Sequence, residues 1–127
     1  MVDDDRAEHT IFSRAFGKND VSVESYFSAE SAVDALFSGK RPRLVLLDIR
    51  MPGMGGFFFL QQRLTAGLLQ VPVVMLSSSS NADDISEAYK YGAAAYLQKP
   101  CDYASLRRFT QLVTDFWFEL VKLPESC

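Results

Sequence analysis

The sequence alternates short apolar runs with segments of helical periodicity, and this alternation limits the fold more than any other feature. Residues 44–47 and 73–76 are apolar at every position, which is typical of strands buried on both faces of a parallel sheet. Residues 21–27 and 93–97 are also interpreted as strands, and a first strand precedes the acidic start. We therefore predict an α/β fold, a doubly wound (βα)5 arrangement around a central five-stranded parallel sheet.

Five helices are predicted after these strands, and their ends carry residues that favour starts and stops. Ser28, Asp102 and either Asn81 or Asp83 can accept hydrogen bonds from the first free amides of a helix. Gly17 and Gly39 end the first two helical segments. The helices are expected at about 7–17, 28–37, 57–66, 81–91 and 103–120.

The first strand has the least support in the sequence. Only Met1 and Val2 precede the acidic residues, whereas a strand usually contains about five residues. Either residues ahead of Met1 complete the strand, or the strand is a stub that weakens the sheet between its second and third strands.

Composition narrows the classes of protein to which the chain can belong. Its 127 residues, 48% of them hydrophobic, suffice for one core, so we predict a single domain over 1–127 with a carboxyl-terminal helix and tail at about 102–127. The net charge of −3 argues against a nucleic-acid partner. No apolar run approaches the roughly 18 residues of a membrane span. Cys101 and Cys127 do not form a disulfide framework, so a cytoplasmic location is expected.

Polar side chains follow the predicted strands at the points where those strands end. Asp3 and Asp4 follow the first strand, Asp48 the third, Ser77 the fourth and Lys99 the fifth. Ligands of such sheets bind at the carboxyl ends of strands, so these residues should converge. Clustered carboxylates repel one another unless a cation neutralises them, which predicts a hard divalent metal, Mg2+ being the best match. A lysine and a hydroxyl can hold phosphoryl oxygens, which makes Asp48 the predicted nucleophile.

The order and spacing of these residues resemble the receiver domain of two-component response regulators. The resemblance implies a flavodoxin-like, CheY-like fold with strand order 2-1-3-4-5. It also implies a signalling phosphoacceptor rather than an enzyme, with self-phosphotransfer and autodephosphorylation as its only chemistry. It covers essentially the whole chain and rests on Asp3-Asp4, on Asp48 within DIRMPG, on Ser77 after PVVML and on Lys99-Pro100.

The resemblance assigns a role to each residue of the predicted site. Asp48 is implied to take a phosphoryl group from a phosphohistidine of a sensor histidine kinase. Asp4 and Asp48 are implied to bind Mg2+ directly, Asp3 through a water molecule and Arg50 through its backbone carbonyl oxygen. Lys99 is implied to pair with a phosphoryl oxygen.

The same resemblance implies a conformational switch. The Ser77 hydroxyl would bond the phosphoryl group after transfer, and Tyr96 would turn inward as Ser77 moves. The alternative is that Tyr96 only packs on the last helix. A cis peptide bond between Lys99 and Pro100 is also implied.

Two helices carry more apolar residues than one buried face needs. Phe58 lies in a run of three phenylalanines, so one ring should face water or a partner unless the helix rotates to bury all three. On the last helix, the face expected to contact the sheet consists of Leu106, Thr110, Val113 and Trp117. A second apolar stripe on the same helix consists of Phe109, Leu112, Phe116 and Leu120. We predict that this stripe forms an interface.

The carboxyl-terminal part adds a narrower resemblance. Residues 115–124 resemble the tail of receivers found with bacterial and cyanobacterial phytochromes, which tend to dimerise through this end. A homodimer and a phytochrome-like sensor kinase are therefore the partners that the resemblance implies, while the downstream protein is not predicted.

One alternative function stays open, a pseudo-receiver that binds proteins independently of phosphorylation. Asp4, Asp48 and Lys99 argue against it, whereas the short first strand argues for it. A DNA-binding regulator is disfavoured because the sequence ends soon after the last helix. His9, the only histidine, is expected at the surface.

Overall fold

The computed structural model describes residues 1–124 as helices alternating with parallel strands. Cys127 lies outside the described residues, and Cys101 is an exposed free thiol. The strands are β1 (Val45–Leu47), β2 (Val73–Ser77) and β3 (Ala95–Gln98). The α-helices are α1 (Arg6–Gly17), α2 (Ala29–Phe37), α3 (Gly56–Thr65), α4 (Ala82–Lys90) and α5 (Tyr103–Val113).

The helix starts follow the predicted caps. The Asn81 side chain accepts a hydrogen bond from the Asp83 amide at 2.8 Å, and the Asp102 side chain accepts one from the Ser105 amide at 2.7 Å. Ser28 caps α2 in the same way. Each cap satisfies an amide that the first helical turn leaves without a partner.

The three strands form one parallel sheet in the order β1-β2-β3. Val2 adds single parallel bridges to Tyr26 on one side and to Leu47 on the other. Residue 2 therefore lies between residue 26 and β1. The predicted α/β class is confirmed, while the full order 2-1-3-4-5 stays a prediction.

The prediction of five regular strands was wrong for the described residues, because the first two are reduced to these bridges. Met1 pairs through its backbone with Glu24 at 2.8 Å and with Tyr26 at 2.9 Å. The residues before Glu24 have no facing strand within the described chain, and a ladder forms only where two strands face each other. The predicted strand 21–27 is therefore extended chain with one bridge.

Two apolar layers cover the faces of the sheet, as the alternation of side chains along a strand requires. Val45 and Leu47 point into a layer shared with α2 and α3. Leu46 points into the opposite layer, shared with α1 and α5. Helices on both faces leave only the ends of the strands open to ligands.

The last helix departs from the prediction of one helix over 103–120. The α-helix ends at Val113, and Thr114–Leu120 forms a π-helix. The Thr114 hydroxyl donates to the Thr110 carbonyl oxygen at 2.7 Å, and such side-chain bonds compete with the regular helical ladder. Leu106, Thr110 and Val113 are buried as predicted. No helix within residues 1–124 is both long and apolar enough to span a bilayer.

Candidate functional site

Asp48 lies at the carboxyl end of β1, where the chain leaves the core. All residues of β1 are buried, whereas the Asp48 side chain is 12% exposed. The Gly56 amide donates to the Ile49 carbonyl oxygen at 2.9 Å, and a Cβ atom at Gly56 would overlap the Asp48 carbonyl oxygen. Glycine is required here for close approach of α3 to the site, a role beyond the turn that the sequence indicated.

Three carboxylates meet at this edge of the sheet. Asp3, Asp4 and Asp48 each offer an oxygen atom, and these oxygens lie within 4.8 Å of one another. Asp3 is 2% exposed, and its Oδ1 accepts a hydrogen bond of 3.0 Å from the Asp5 amide. We refer to these three aspartates together with Lys99 as the acidic site.

Lys99 supplies the positive charge of the acidic site. Its Nζ donates to Asp3 Oδ2 at 2.9 Å and lies 3.9 Å from Asp48 Oδ1. Its amide donates to the Ser77 carbonyl oxygen at 2.9 Å, which fixes the residue at the end of β3. Burial alone would lower the pKa of Lys99, but the hydrogen bond to Asp3 and the charge of Asp48 outweigh it and raise the pKa.

The predicted cis bond between Lys99 and Pro100 was wrong, because no peptide bond within residues 1–124 is cis. The trans chain still brings the lysine to Asp3. Parallel pairing of β3 with β2, which aligns Gln98 with Ser77, sets where β3 ends and is sufficient to position the side chain.

The environment of Asp48 makes its carboxyl group a weaker acid than an exposed aspartate. Burial raises the pKa of Asp48 to about 6; the charge of Lys99 opposes this rise, and the charges of Asp3 and Asp4 add to it. A cation among the three carboxylates would remove that repulsion. Clustered carboxylate oxygens are the ligands that Mg2+ and Mn2+ prefer, so the acidic site fits a hard divalent metal.

Ser79 joins the two residues that were predicted to form the switch. Ser77 is buried at the end of β2, and its hydroxyl oxygen accepts a hydrogen bond from the Ser79 amide at 3.1 Å. The Tyr96 hydroxyl donates to the Ser79 carbonyl oxygen at 2.9 Å. Tyr96 is half-buried and packs against the layer that contains α2 and α3. Ser79 is therefore the single residue that connects the Ser77 hydroxyl group to Tyr96, and a movement of that hydroxyl group would act on Tyr96 through it.

The Arg50 side chain points away from the acidic site and toward α4. Its Nη2 lies 3.0 Å from Asp84 Oδ2, and Asp84 is buried. The sequence prediction concerned only the Arg50 carbonyl oxygen and missed this ion pair. Acidic residues are favoured in a first helical turn because they complement the helix dipole. The presence of Asp83 and Asp84 at the start of α4 therefore did not indicate a contact with another loop.

The expectation that His9 lies at the surface was wrong. His9 is 4% exposed, and its Nε2 lies 2.6 Å from the Asp3 carbonyl oxygen. Its ring contacts Phe27 edge-on, with centroids 4.5 Å apart. Because α1 begins directly after the acidic run, its first turns lie against the segment that carries Asp3, and His9 helps to hold that segment.

The residues of the predicted interface differ in exposure. Leu112, Phe116 and Leu120 are 55%, 52% and 69% exposed, and we refer to them as the apolar stripe. Phe109 is half-buried and contacts Phe12 of α1 with ring centroids 6.0 Å apart. Phe58 is half-buried against the core, so none of the rings 57–59 is fully open to solvent.

The sequence is similar to known proteins over most of its length. The family model described as the response regulator receiver domain matches residues 1–111. The chain is 32% identical over 132 residues to the probable methanogenesis regulatory protein FilR2 of Methanothrix harundinacea (strain 6Ac). The alignment covers 98% of this chain and 85% of that protein. It spans only 21% of the length of the transcriptional regulator NtrC of Klebsiella pneumoniae.

Solved structures of response regulators resemble nearly the whole chain, and two of them are described here. The phosphorylated cyanobacterial phytochrome response regulator RcpA has a TM-score of 0.89 and 27% identity, over 98% of this chain and 95% of that chain. The Mn(2+)-bound form of response regulator Rcp1 has a TM-score of 0.83 and 27% identity, over 98% and 96% of the two chains.

Proposed function

This chain belongs to the family of response regulator receiver domains, and on that premise we propose that Asp48 accepts a phosphoryl group from a sensor histidine kinase of a two-component system. The observation that carries the proposal is the acidic site. Three carboxylate oxygens lie within 4.8 Å of one another, and the Lys99 ammonium lies 3.9 Å from Asp48. Apolar residues of similar volume often stabilise a fold as well as buried charges do, so this group of charges supports a chemical role.

The transfer is an in-line displacement at phosphorus. An Asp48 carboxylate oxygen forms the new bond to phosphorus, while the bond from phosphorus to the donor histidine nitrogen breaks and leaves its electron pair on that nitrogen. Lys99 is close enough to Asp48 to pair with a phosphoryl oxygen as charge accumulates there. With a pKa of about 6, Asp48 is mostly ionised at neutral pH and can attack.

Mg2+ is the proposed cofactor. Asp4 and Asp48 would bind it directly, Asp3 through water and Arg50 through its carbonyl oxygen. When bound, the ion supplies positive charge that neutralises the phosphoryl oxygens during transfer. The three carboxylates support a divalent cation, and the solved Mn(2+)-bound Rcp1 has the same fold.

The signal is proposed to leave the site through Ser79. When the Ser77 hydroxyl turns to the phosphoryl group, it gives up the Ser79 amide, and the loop is free to change the bond between Ser79 and Tyr96. Tyr96 lies on β3 next to α4, and its amide donates a hydrogen bond to the Tyr89 hydroxyl oxygen of α4 at 3.2 Å. A change at Tyr96 would therefore alter the surface formed by α4, β3 and α5, which we propose as the contact for downstream proteins.

A homodimer is proposed through the apolar stripe. Leu112, Phe116 and Leu120 recur at spacings of four residues on one side of the last helix, and exposed apolar patches mark interaction sites. A second copy of the same stripe is self-complementary across a two-fold axis. The likeness to RcpA supports a phytochrome-like kinase as the donor.

The phosphoacceptor proposal is tested by intact mass after incubation with acetyl phosphate. With Mg2+ the chain should gain one phosphoryl group, about 80 Da, and with excess chelator it should gain none. Asp48→Asn should lose the gain, whereas its matched control Asp34→Asn, which changes an exposed acid on α2, should keep it. A chain that stays at its original mass in every condition would favour the pseudo-receiver, a binding module independent of phosphorylation.

A further inference from the structure

An ion pair connects the loop after Asp48 to the first turn of α4. Arg50 Nη2 lies 3.0 Å from Asp84 Oδ2, and this is the only side-chain hydrogen bond of Arg50 within residues 1–124. The Arg50 side chain is 74% exposed, whereas the Asp84 side chain is 12% exposed. Ion pairs near the surface contribute little to stability, so stability alone does not account for this pair.

Asp84 is the fixed member of the pair. It belongs to the first turn of α4, and its amide donates to the Asn81 side chain at 3.3 Å. The start of a helix favours a carboxylate, which stabilises the charge of Asp84 in its place. Asp83, the preceding residue of the same turn, is exposed. Of these two acids, only Asp84 pairs with the arginine.

The backbone of Arg50 is held in place, while its side chain can move. Ile49 and Met51, on either side of it, are 4% and 9% exposed. The Ile49 carbonyl oxygen also accepts a hydrogen bond from the Gly56 amide at 2.9 Å. The exposed guanidinium group, by contrast, lies at the end of a long side chain with many rotamers. Without the Asp84 carboxylate, this group would be free to bind another anion.

The acidic site competes with Asp84 for the arginine. Asp48 stands two residues before Arg50, and its carboxylate meets those of Asp3 and Asp4 within 4.8 Å. Three carboxylates and the Lys99 ammonium leave two formal negative charges, which one divalent cation balances. A guanidinium group binds carboxylates with two parallel hydrogen bonds. Arg50 in the site would cancel one of the two charges and weaken the attraction for a divalent cation.

We propose that Asp84 is a positioning residue, which holds the Arg50 guanidinium away from the acidic site and so keeps that site open to its divalent cation. The inference rests on the metal proposed above for the acidic site. It gives the Arg50 side chain a role separate from that of its carbonyl oxygen, as a competitor of the cation within the same chain. Asp84 acts only through Arg50, so its effect should require the guanidinium group.

The test measures Mn2+ binding by electron paramagnetic resonance, with no phosphodonor present. Mn2+ suits the same oxygen ligands as Mg2+, and the signal of the free ion falls as the ion binds. Asp84→Asn removes the charge and keeps the shape of the side chain, so it should weaken Mn2+ binding roughly tenfold. The matched control is Asp83→Asn, whose exposed charge is screened by salt, and it should bind Mn2+ as the parent does.

A second background separates positioning from a structural role of Asp84. Arg50→Ala removes the guanidinium group and keeps the backbone carbonyl group. In this background Asp84→Asn should no longer weaken Mn2+ binding, because no arginine remains to enter the acidic site. A loss of the same size in both backgrounds would assign the effect to the structure of α4 and overturn the proposal.

The parent chain separates this inference from the proposed function. Because no phosphodonor is present, Mn2+ binding does not depend on whether Asp48 accepts a phosphoryl group. Equal affinities of the parent and Asp84→Asn would overturn the role of Asp84 and leave the metal site intact. A parent that binds no Mn2+ at millimolar concentration would overturn the metal site and this inference together.

Discussion

The acidic site and the apolar stripe depart from ordinary burial in opposite directions. At the acidic site, Asp3 is 2% exposed although it is charged. At the apolar stripe, Leu112, Phe116 and Leu120 each expose at least half of their surface although they are apolar. A buried charge and an exposed apolar patch are the two departures from ordinary burial that are informative.

The difference between the two regions lies in how each departure is compensated. The acidic site is compensated internally, because Lys99 and the Asp5 amide bond to Asp3. The apolar stripe is not compensated in this way within the described residues, because Phe116 contacts the ring of Trp117 edge-on but is still 52% exposed. The comparison teaches that the charges of the acidic site are balanced within one chain, whereas the stripe is the surface at which we propose that a second copy packs.

The largest effect is expected where a buried charge loses its partner. Lys99→Met leaves the Asp3 carboxylate buried without its ammonium, which should lower the free energy of unfolding by about 3 kcal/mol. Lys40→Met removes a lysine from an exposed pair with Glu24 at a similar distance, 3.1 Å, and should change stability very little. Urea unfolding measures both. Equal losses in the two variants would show that the acidic site is not energetically distinct.

Asp48→Asn, which removes the nucleophile, should raise the stability of the fold. This effect is smaller in size than the loss expected for Lys99→Met. The pKa of Asp48 is raised from 3.8 to about 6 in the folded chain. The folded state therefore binds the proton more tightly, and stability falls as pH rises from about 4 to about 6. With chelator present, Asp48→Asn should be more stable than the parent by about 2 kcal/mol at pH 7.

The pH series provides the control for that prediction. Near pH 4 the carboxyl group is largely protonated in the folded state, and the advantage of Asp48→Asn should shrink. An advantage that stays constant from pH 4 to pH 7 would assign it to packing rather than to charge.

The apolar stripe is tested by placing a charge in it. Phe116→Glu should weaken self-association about 30-fold, since a central aromatic contact contributes about 2 kcal/mol. Ile11→Glu is the matched control, because Ile11 is a similarly exposed apolar residue, 45%, on α1. Sedimentation at rising concentration measures both. A parent chain that stays monomeric at high micromolar concentration would remove the homodimer.

The smallest effect is expected at Tyr96, which we propose connects the acidic site to the surface formed by α4, β3 and α5. Tyr96→Phe removes the hydrogen bond to the Ser79 carbonyl oxygen and should cost about 1 kcal/mol. Phosphorylation of Asp48 should continue at the parent rate, because Tyr96 does not contact the acidic site. A large loss of phosphorylation would mean that Tyr96 acts on the chemistry rather than on the response.

The acidic site could be predicted because topology places its residues. Asp48 and Lys99 each follow a strand, and carboxyl ends of parallel strands meet at one edge whatever the loops do. The Arg50–Asp84 pair and the burial of His9 could not be predicted, because both depend on how a loop or helix turn faces a distant segment. The π-helix begins at Thr114, whose hydroxyl donates to the Thr110 carbonyl oxygen, and apolar periodicity carries no information about such a bond.

The predicted strand 21–27 failed for a different reason. Its composition suits a strand, but a strand exists only beside a partner, and within the described residues only the backbone of residues 1–3 pairs with it. Sequence patterns report the preference of one segment, whereas pairing is a property of two.

The most direct test of the central claim locates the phosphoryl group. After incubation with acetyl phosphate and Mg2+, borohydride reduces an aspartyl phosphate to homoserine, and peptide mass spectrometry identifies the converted residue. Conversion should be found at Asp48 alone. Conversion at Asp3 or Asp4, or at no residue, would contradict the assignment of Asp48 as the phosphoacceptor.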